Sequence, residues 1–378
     1  MMAKRIFLFG LILCGVLSSK ASSETDTFVP GACWPDNHGI HINAHGGGIL
    51  YDNGKYYWYG EHKTEGEAGN VANAGVHCYS SKDLYHWTDE GIVLTVMPDS
   101  SGSDIEKGCI LERPKVIKNA KTGKYVMWFH LEPKGKGYKG ALSGVAVSDK
   151  ATGPFLYLRS VRPNAGSFPV NVQDVHKRAS KATGRTFDGG SLPEHVDSLN
   201  ILGRDFETGQ MARDMNLFVD DDGKAYHIYS SEENSTLHIA ELTDDYLNHS
   251  GKYKRCFAGR FMEAPVLFKK DNKYYLMMSG CTGWAPNAAR SAVADSVMGT
   301  WKELGNPCIG EDAETTFHSQ STFVLPVHGA KDQFIYMGDR WNPSNAVDGR
   351  YIWLPIEFSN DKFTIRWHNK WHFNKKIK

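Results

Sequence analysis

Five residues able to move protons or hold hydroxyls occupy matching places along the chain. His45, Glu112, Asp214, Glu263 and Gln320 lie ten, twelve, ten, ten and thirteen residues ahead of Lys55, Lys124, Lys224, Lys273 and Gln333, each of which sits in or beside a polar turn. Three carboxylates brought to one point could divide acid–base work between them. One is kept neutral to donate a proton, while an ionised neighbour raises its pKa by like-charge repulsion. An amide or imidazole beside them could hold water. Each residue alone has a plainer explanation: Glu112 adjoins Arg113 and Asp214 adjoins Arg213, so either carboxylate could be a solvated ion pair. His41 and His45 are four apart, but their stretch is Gly-rich and not helical, so the helical two-histidine metal motif does not apply. Asp220-Asp221-Asp222-Gly223 begins like a calcium loop but lacks the downstream Glu, and reads as a hairpin turn. No metal and no cofactor is expected.

A degenerate repeat brings the five together. A polar turn followed by an aromatic-rich strand recurs at Asp52-Asn53-Gly54-Lys55-Tyr56-Tyr57-Trp58, Lys121-Thr122-Gly123-Lys124-Tyr125-Val126-Met127-Trp128, Asp221-Asp222-Gly223-Lys224-Ala225-Tyr226, Lys270-Asp271-Asn272-Lys273-Tyr274-Tyr275 and Lys331-Asp332-Gln333-Phe334-Ile335-Tyr336. Such turns before β-formers are hairpin signals. An apolar strand precedes each copy (48–51, 114–118, 215–219, 265–268, 322–325) and a third follows it (75–80, 144–148, 237–241, 291–294, 351–354). Meandering antiparallel units repeated at tens of residues predict an all-β fold, a five-bladed β-propeller. The first strand of every propeller blade lines the central tunnel, so the five residues at strand starts converge on one mouth. Pro114 and Pro265 suit such strands, which have a free edge. The widest gap between repeats holds residues 162–210, poor in strand signal, which read as an insertion over one face that shapes the site; a small separate domain is the weaker reading.

The ends and composition set the context. Lys4 and Arg5 precede an apolar run from Ile6 to Leu17, too short to span a bilayer, and Ser19-Lys20-Ala21 offers small residues at the positions a signal peptidase reads. Residues 1–21 are therefore expected to be a signal peptide and 22–378 one exported domain, secreted or periplasmic. Lipid attachment at Cys14 is disfavoured by the bulky Leu13, and without it no membrane partner is expected. Forty-three basic and 43 acidic residues cancel, which argues against a nucleic-acid footprint. Aromatic residues make up 12% of the chain, a composition suited to stacking on sugars. The six cysteines beyond the leader permit disulfides in an oxidising compartment, and none forms a close CxxC pair for zinc.

The blade layout, Arg213-Asp214 and Glu263-Ala264-Pro265 resemble glycoside hydrolase family 43 from about Trp34 to Trp371. The strings Ala44-His45-Gly46-Gly47-Gly48, Tyr57-Trp58-Tyr59-Gly60-Glu61, Glu112-Arg113-Pro114-Lys115-Val116, Cys281-Thr282-Gly283-Trp284 and Ser319-Gln320-Ser321-Thr322 are similar to its exo-β-1,3-galactanase branch, subfamily 24. The resemblance implies an inverting hydrolase that removes galactose from β-1,3-galactan or arabinogalactan oligosaccharides. It implies Glu263 as general acid, with Asp214 tuning it. The family's usual base, an Asp on the first blade, is replaced by Ala44-His45. Gln320 then matches the residue that holds the attacking water, with Glu112 and His45 as alternatives. Glu61, Glu112, Tyr138 and Thr282 match sugar-contacting positions, Trp284 matches a stacking platform, and His45 is placed with the sugar-binding set. Other readings are an α-L-arabinofuranosidase or β-xylosidase of the same family, and a propeller that binds sugar without catalysis.

Overall fold

The structure, a computed structural model, describes residues 26–182 and 196–373. The apolar leader lies outside the described residues, as do positions 183–195 of the insertion. Five antiparallel sheets follow one another along the chain. Their inner strands are His45–Asp52, Ile110–Lys118, Met215–Val219, Glu263–Lys270 and Gln320–Pro326, all five at the expected places. They pack side by side in a ring and close a five-bladed propeller. The turns behave as their residues dictate. Asp52 pairs with Lys55 across Asn53 and Gly54, both in the left-handed conformation (φ 49° and 79°), which matches the twist of a two-residue hairpin.

The ring is closed without a covalent bond. Phe28 and Trp371 bridge by reciprocal backbone hydrogen bonds of 2.8 and 3.0 Å, and Gly31 N–H donates to Tyr351 O at 2.8 Å. An aromatic seam between the first and last blades (Trp34, Trp58, Trp87, Tyr351 and Trp353) supplies the apolar burial behind those bonds. Cys308–Ile309 adds a short parallel strand to the outer edge of the last blade. Cys33, Cys78, Cys109, Cys256, Cys281 and Cys308 are all free thiols, so the permitted disulfides are not formed. Packing and backbone pairing hold this fold.

A bulge at the start of the inner strands controls where side chains point. Register shifts fall between His45 and Gly48, Glu112 and Lys115, Glu263 and Val266, and Ser321 and Phe323. In three blades the residue after the functional one is left-handed: Gly46 (φ 59°), Arg113 (φ 57°) and Ala264 (φ 51°). The extra residue bends the strand and re-aims its end toward the mouth. Pro114 and Pro265 sit in these bulges, where a missing N–H breaks no regular ladder bond.

The described part of the insertion packs against the third blade. Its described residues run along the outer strand of the third blade, His249–Cys256, where Val170 N–H donates to Tyr253 O at 2.8 Å. Two single-turn helices, Val196–Leu199 and Ile201–Arg204, complete it. None of its described residues lines the pocket.

Candidate active site

A cavity of about 240 Å³ opens where the inner strands begin. Seven of the nine residues singled out in the sequence line it: Glu61, Glu112, Tyr138, Asp214, Glu263, Trp284 and Gln320. Two do not. His45 is fully buried, stacked on Tyr351 at 5.4 Å with Nδ1 3.8 Å from Asp339, so it stands behind the site and cannot touch a sugar. Burial drives its pKa down to about 3, which makes it a neutral packing residue. Thr282 spends its hydroxyl within its own loop, donating to Ala285 O at 2.5 Å and accepting from Asn287 Nδ2 at 2.7 Å.

Glu263 begins the inner strand of the fourth blade. Burial first, then the like charge of Asp214, raises its pKa to about 8, so the carboxyl keeps its proton at neutral pH. Asp214 also grips the acid's backbone, accepting from Ala264 N–H at 3.0 Å. Asn234 Nδ2 donates to Glu263 Oε1 at 2.7 Å.

Glu112 has the opposite environment. Burial would raise its pKa, but His130 overrides it, with Nδ1 2.9 Å from Oε2, and Tyr138 O–H donates to Oε1 at 2.8 Å; the carboxylate is held well below its usual range. His130 lies between Glu112 and Glu132, whose carboxylates outweigh its burial and push its pKa up to about 10. Glu112, His130 and Asp214 bring ligand-type atoms within 4.8 Å of one another. The donor set does not suit a metal, because both His130 nitrogens face carboxylates and the imidazolium has no free lone pair.

Gln320 is fixed by groups whose chemistry permits one orientation. Arg113 Nη2 and Trp341 Nε1 donate to its Oε1 at 2.5 and 3.0 Å, and both are donors only. Its Nε2 donates to Ser279 Oγ at 2.9 Å. The second Nε2 hydrogen is what the amide has left for the pocket. Accepting a proton from water would require the imidic-acid form, and protonating Oε1 would displace one of its two donors.

Residues missed in the sequence tie the site together. Arg113 was legible only as a neighbour of Glu112, yet its left-handed backbone turns the two side chains apart. Its guanidinium reaches Asp214 (3.1 Å), Gln320 and Ser321 O (2.9 Å), while its N–H donates to Glu61 Oε1 at 2.9 Å. Lys63 pairs with Glu61 at 2.6 Å. Trp341 meets Trp284 edge to face at 6.2 Å, forming an aromatic corner. An aromatic just beyond the last repeat's strand was the available signal for Trp341. Asn234, in a Glu-Glu-Asn-Ser loop, gave none.

The family model for glycosyl hydrolases family 43 matches residues 194–361. A solved family 43 β-1,3-galactosidase, bound to galactodeoxynojirimycin, is 51% identical; the match covers 92% of this chain and all (100%) of that one, with a TM-score of 0.85. An exo-β-1,3-galactanase from Clostridium thermocellum is 36% identical over 91% of this chain and 66% of its own, with a TM-score of 0.73. One from Phanerochaete chrysosporium, solved with β-1,3-galactotriose, is 31% identical over 92% of this chain and 68% of its own, with a TM-score of 0.74. Among curated proteins, a β-D-galactofuranosidase of Aspergillus niger is 25% identical over 156 residues, 40% of this chain and 44% of the relative's length.

The electrostatics set a pH dependence. An acid with a pKa of about 8 is lost as pH rises through that value, so kcat/KM is expected to fall on the alkaline side with a midpoint near 8. Asp214→Asn removes the like charge and leaves burial, the larger cause, in place, so it should move this limb to lower pH without abolishing it. A pH–rate profile of both proteins checks this; an unmoved limb would separate Asp214 from the acid.

Proposed function

This chain belongs to glycoside hydrolase family 43, in its exo-β-1,3-galactanase branch, and we propose that it releases single galactose units from the non-reducing end of β-1,3-galactan, with inversion. The observation that carries the reading is Glu263, a carboxyl kept protonated at neutral pH in a pocket beside an aromatic corner. Galactose stacks on Trp284, and Glu61, Glu112 and Tyr138 bind its hydroxyls. Glu263 gives its proton to the departing glycosidic oxygen as the bond to the anomeric carbon breaks. Water held by Gln320 attacks the opposite face: its oxygen and one hydrogen become the new anomeric hydroxyl, and its other hydrogen leaves as a proton through solvent water, from which Glu263 is reprotonated for the next turnover. Glu112 is a weak proton acceptor because His130 stabilises its ionised form, which suits it to hydroxyl binding. The polymer that presents this linkage is arabinogalactan, and the basic-then-apolar leader supports export of the enzyme to meet it.

Three measurements test the reading. Glu263→Gln should lower hydrolysis of β-1,3-galactobiose by at least ~10²-fold. The loss should be far smaller on an aryl galactoside whose leaving group needs no proton, and equal losses would remove Glu263 from the acid's role. Proton NMR of the first product should show α-galactose, whereas initial β-galactose would mean retention through a covalent intermediate. Gln320→Ala should reduce kcat with little change in galactose binding, while Glu112→Ala should weaken that binding. The reverse pattern would transfer the water-holding role to Glu112.

A further inference from the structure

A chain of buried contacts runs from the insertion to the catalytic acid. Its middle is the loop Glu232-Glu233-Asn234, where three successive non-glycine residues are left-handed (φ 50°, 61° and 66°). L-residues avoid that conformation, so tertiary contacts must impose it. Glu232 and Glu233 are each 1% exposed. The Glu232 carboxylate accepts from Arg255 Nε and Nη2, both at 2.6 Å, and lies 2.8 Å from His238 Nε2. The Glu233 carboxylate takes Arg204 Nη1 at 2.9 Å and Arg213 Nη2 at 3.4 Å. Two of the anchors come from the insertion. Asp197 holds Arg255 Nη2 at 2.8 Å, and Arg204 is itself braced by Asp205, with Nε and Nη2 each 2.7 Å from its oxygens. The third loop residue, Asn234, reaches Glu263 Oε1.

We propose that the insertion, whose described residues do not line the pocket, positions the catalytic acid: Arg204 and Glu233 hold the strained loop, and the loop holds Asn234 on Glu263 Oε1. An amide N–H can only donate, so Oε1 must accept and the transferable proton belongs on Oε2. Asn234 thus fixes both the rotamer of the acid and the oxygen that carries its proton. Arg204 and Glu233 are positioning residues that act through Asn234. The inference rests on the reading of Glu263 as general acid. The other charged groups acting on that carboxyl are Asp214, Glu112, Arg113 and Arg213, with the Cys281 thiol adjacent.

A double-mutant cycle tests the proposal, with kcat and its alkaline limb measured on β-1,3-galactobiose for Arg204→Met, Asn234→Ala and the pair. Asn234→Ala should lower kcat roughly tenfold or more, because a misplaced reacting group is costly. It should also move the alkaline limb upward, because a donor to the ionised carboxylate is lost. Arg204→Met should shift both quantities in the same direction and add little in the Asn234→Ala background. Arg204→Met should keep near-normal turnover of an activated aryl galactoside. The proposal is overturned if Arg204→Met leaves kcat and the limb unchanged, if the two losses multiply independently, or if the limb moves downward. Should Arg204→Met not fold, Asn234→Ala decides alone, and an unchanged kcat and limb sinks the idea. Glu263→Gln run alongside separates the two levels. Equal losses on both substrates would remove the acid reading itself. A loss confined to galactobiose, with indifferent Asn234 and Arg204 variants, would remove only this inference.

Discussion

The buried guanidinium of Arg113 is the point on which the site depends. It leaves the second blade, binds Asp214 of the third, and holds the side chain of Gln320 and the backbone of Ser321 in the fifth, while its own N–H is taken by Glu61 of the first. A cation moved out of water is costly unless its partners are close and well oriented. Here three of those partners, Glu61, Asp214 and Gln320, line the pocket, so the interactions that compensate the buried charge also fix its walls. The cation holds Asp214, which raises the proton affinity of Glu263, and also acts on Glu263 directly in the opposite sense. Removing it would change the acid and the amide together.

The bulges explain how neighbours in sequence come to serve different partners. Without them, Glu112 and Arg113 would alternate across a regular strand and one of the two would leave the mouth. With Arg113 left-handed, Glu112 turns to His130 and Tyr138 while Arg113 crosses to the fifth blade. Gly46 makes the same turn where nothing larger fits: a Cβ there would lie 2.3 Å from Glu61 Oε1. Its N–H donates to Asp339 at 2.7 Å and its carbonyl accepts from the buried Lys115 Nζ at 2.8 Å.

This arrangement also sets what could be read from the sequence. The blades were legible because two-residue turns and aromatic strands are local signals that the ring does not override, as at Asp52-Asn53-Gly54-Lys55. The convergence of Glu112, Asp214, Glu263 and Gln320 followed from their shared place at strand starts. The direction of each side chain did not, because it depends on bulge geometry. His45 occupies the right position and faces Tyr351, away from the sugar. Arg113 looked like a local ion partner of Glu112 and serves other blades. Asn234 and the insertion were opaque for another reason: they act across blades through carboxylates buried beneath a loop, and no periodicity marks such contacts.

Two carboxyls in one small pocket are driven to opposite states, and the division of labour follows from the groups beside them. Glu263 faces burial and the like charge of Asp214, while the compensating arginines are shared with other carboxylates. Glu112 is buried too, but it has a cation in direct contact, His130, itself kept charged by Glu112 and by the inner carboxylate of Glu132, which is fully buried and also accepts from Ala141 N–H at 2.9 Å. The imidazolium is stable because it sits between two anions, and Glu112 is ionised because the imidazolium is there. That coupling keeps Glu112 negatively charged at neutral pH, where Glu263 still holds its proton. The two carboxyls therefore hold opposite states for separate reasons: Glu112 depends on the Glu112–His130–Glu132 stack, and Glu263 on burial beside Asp214.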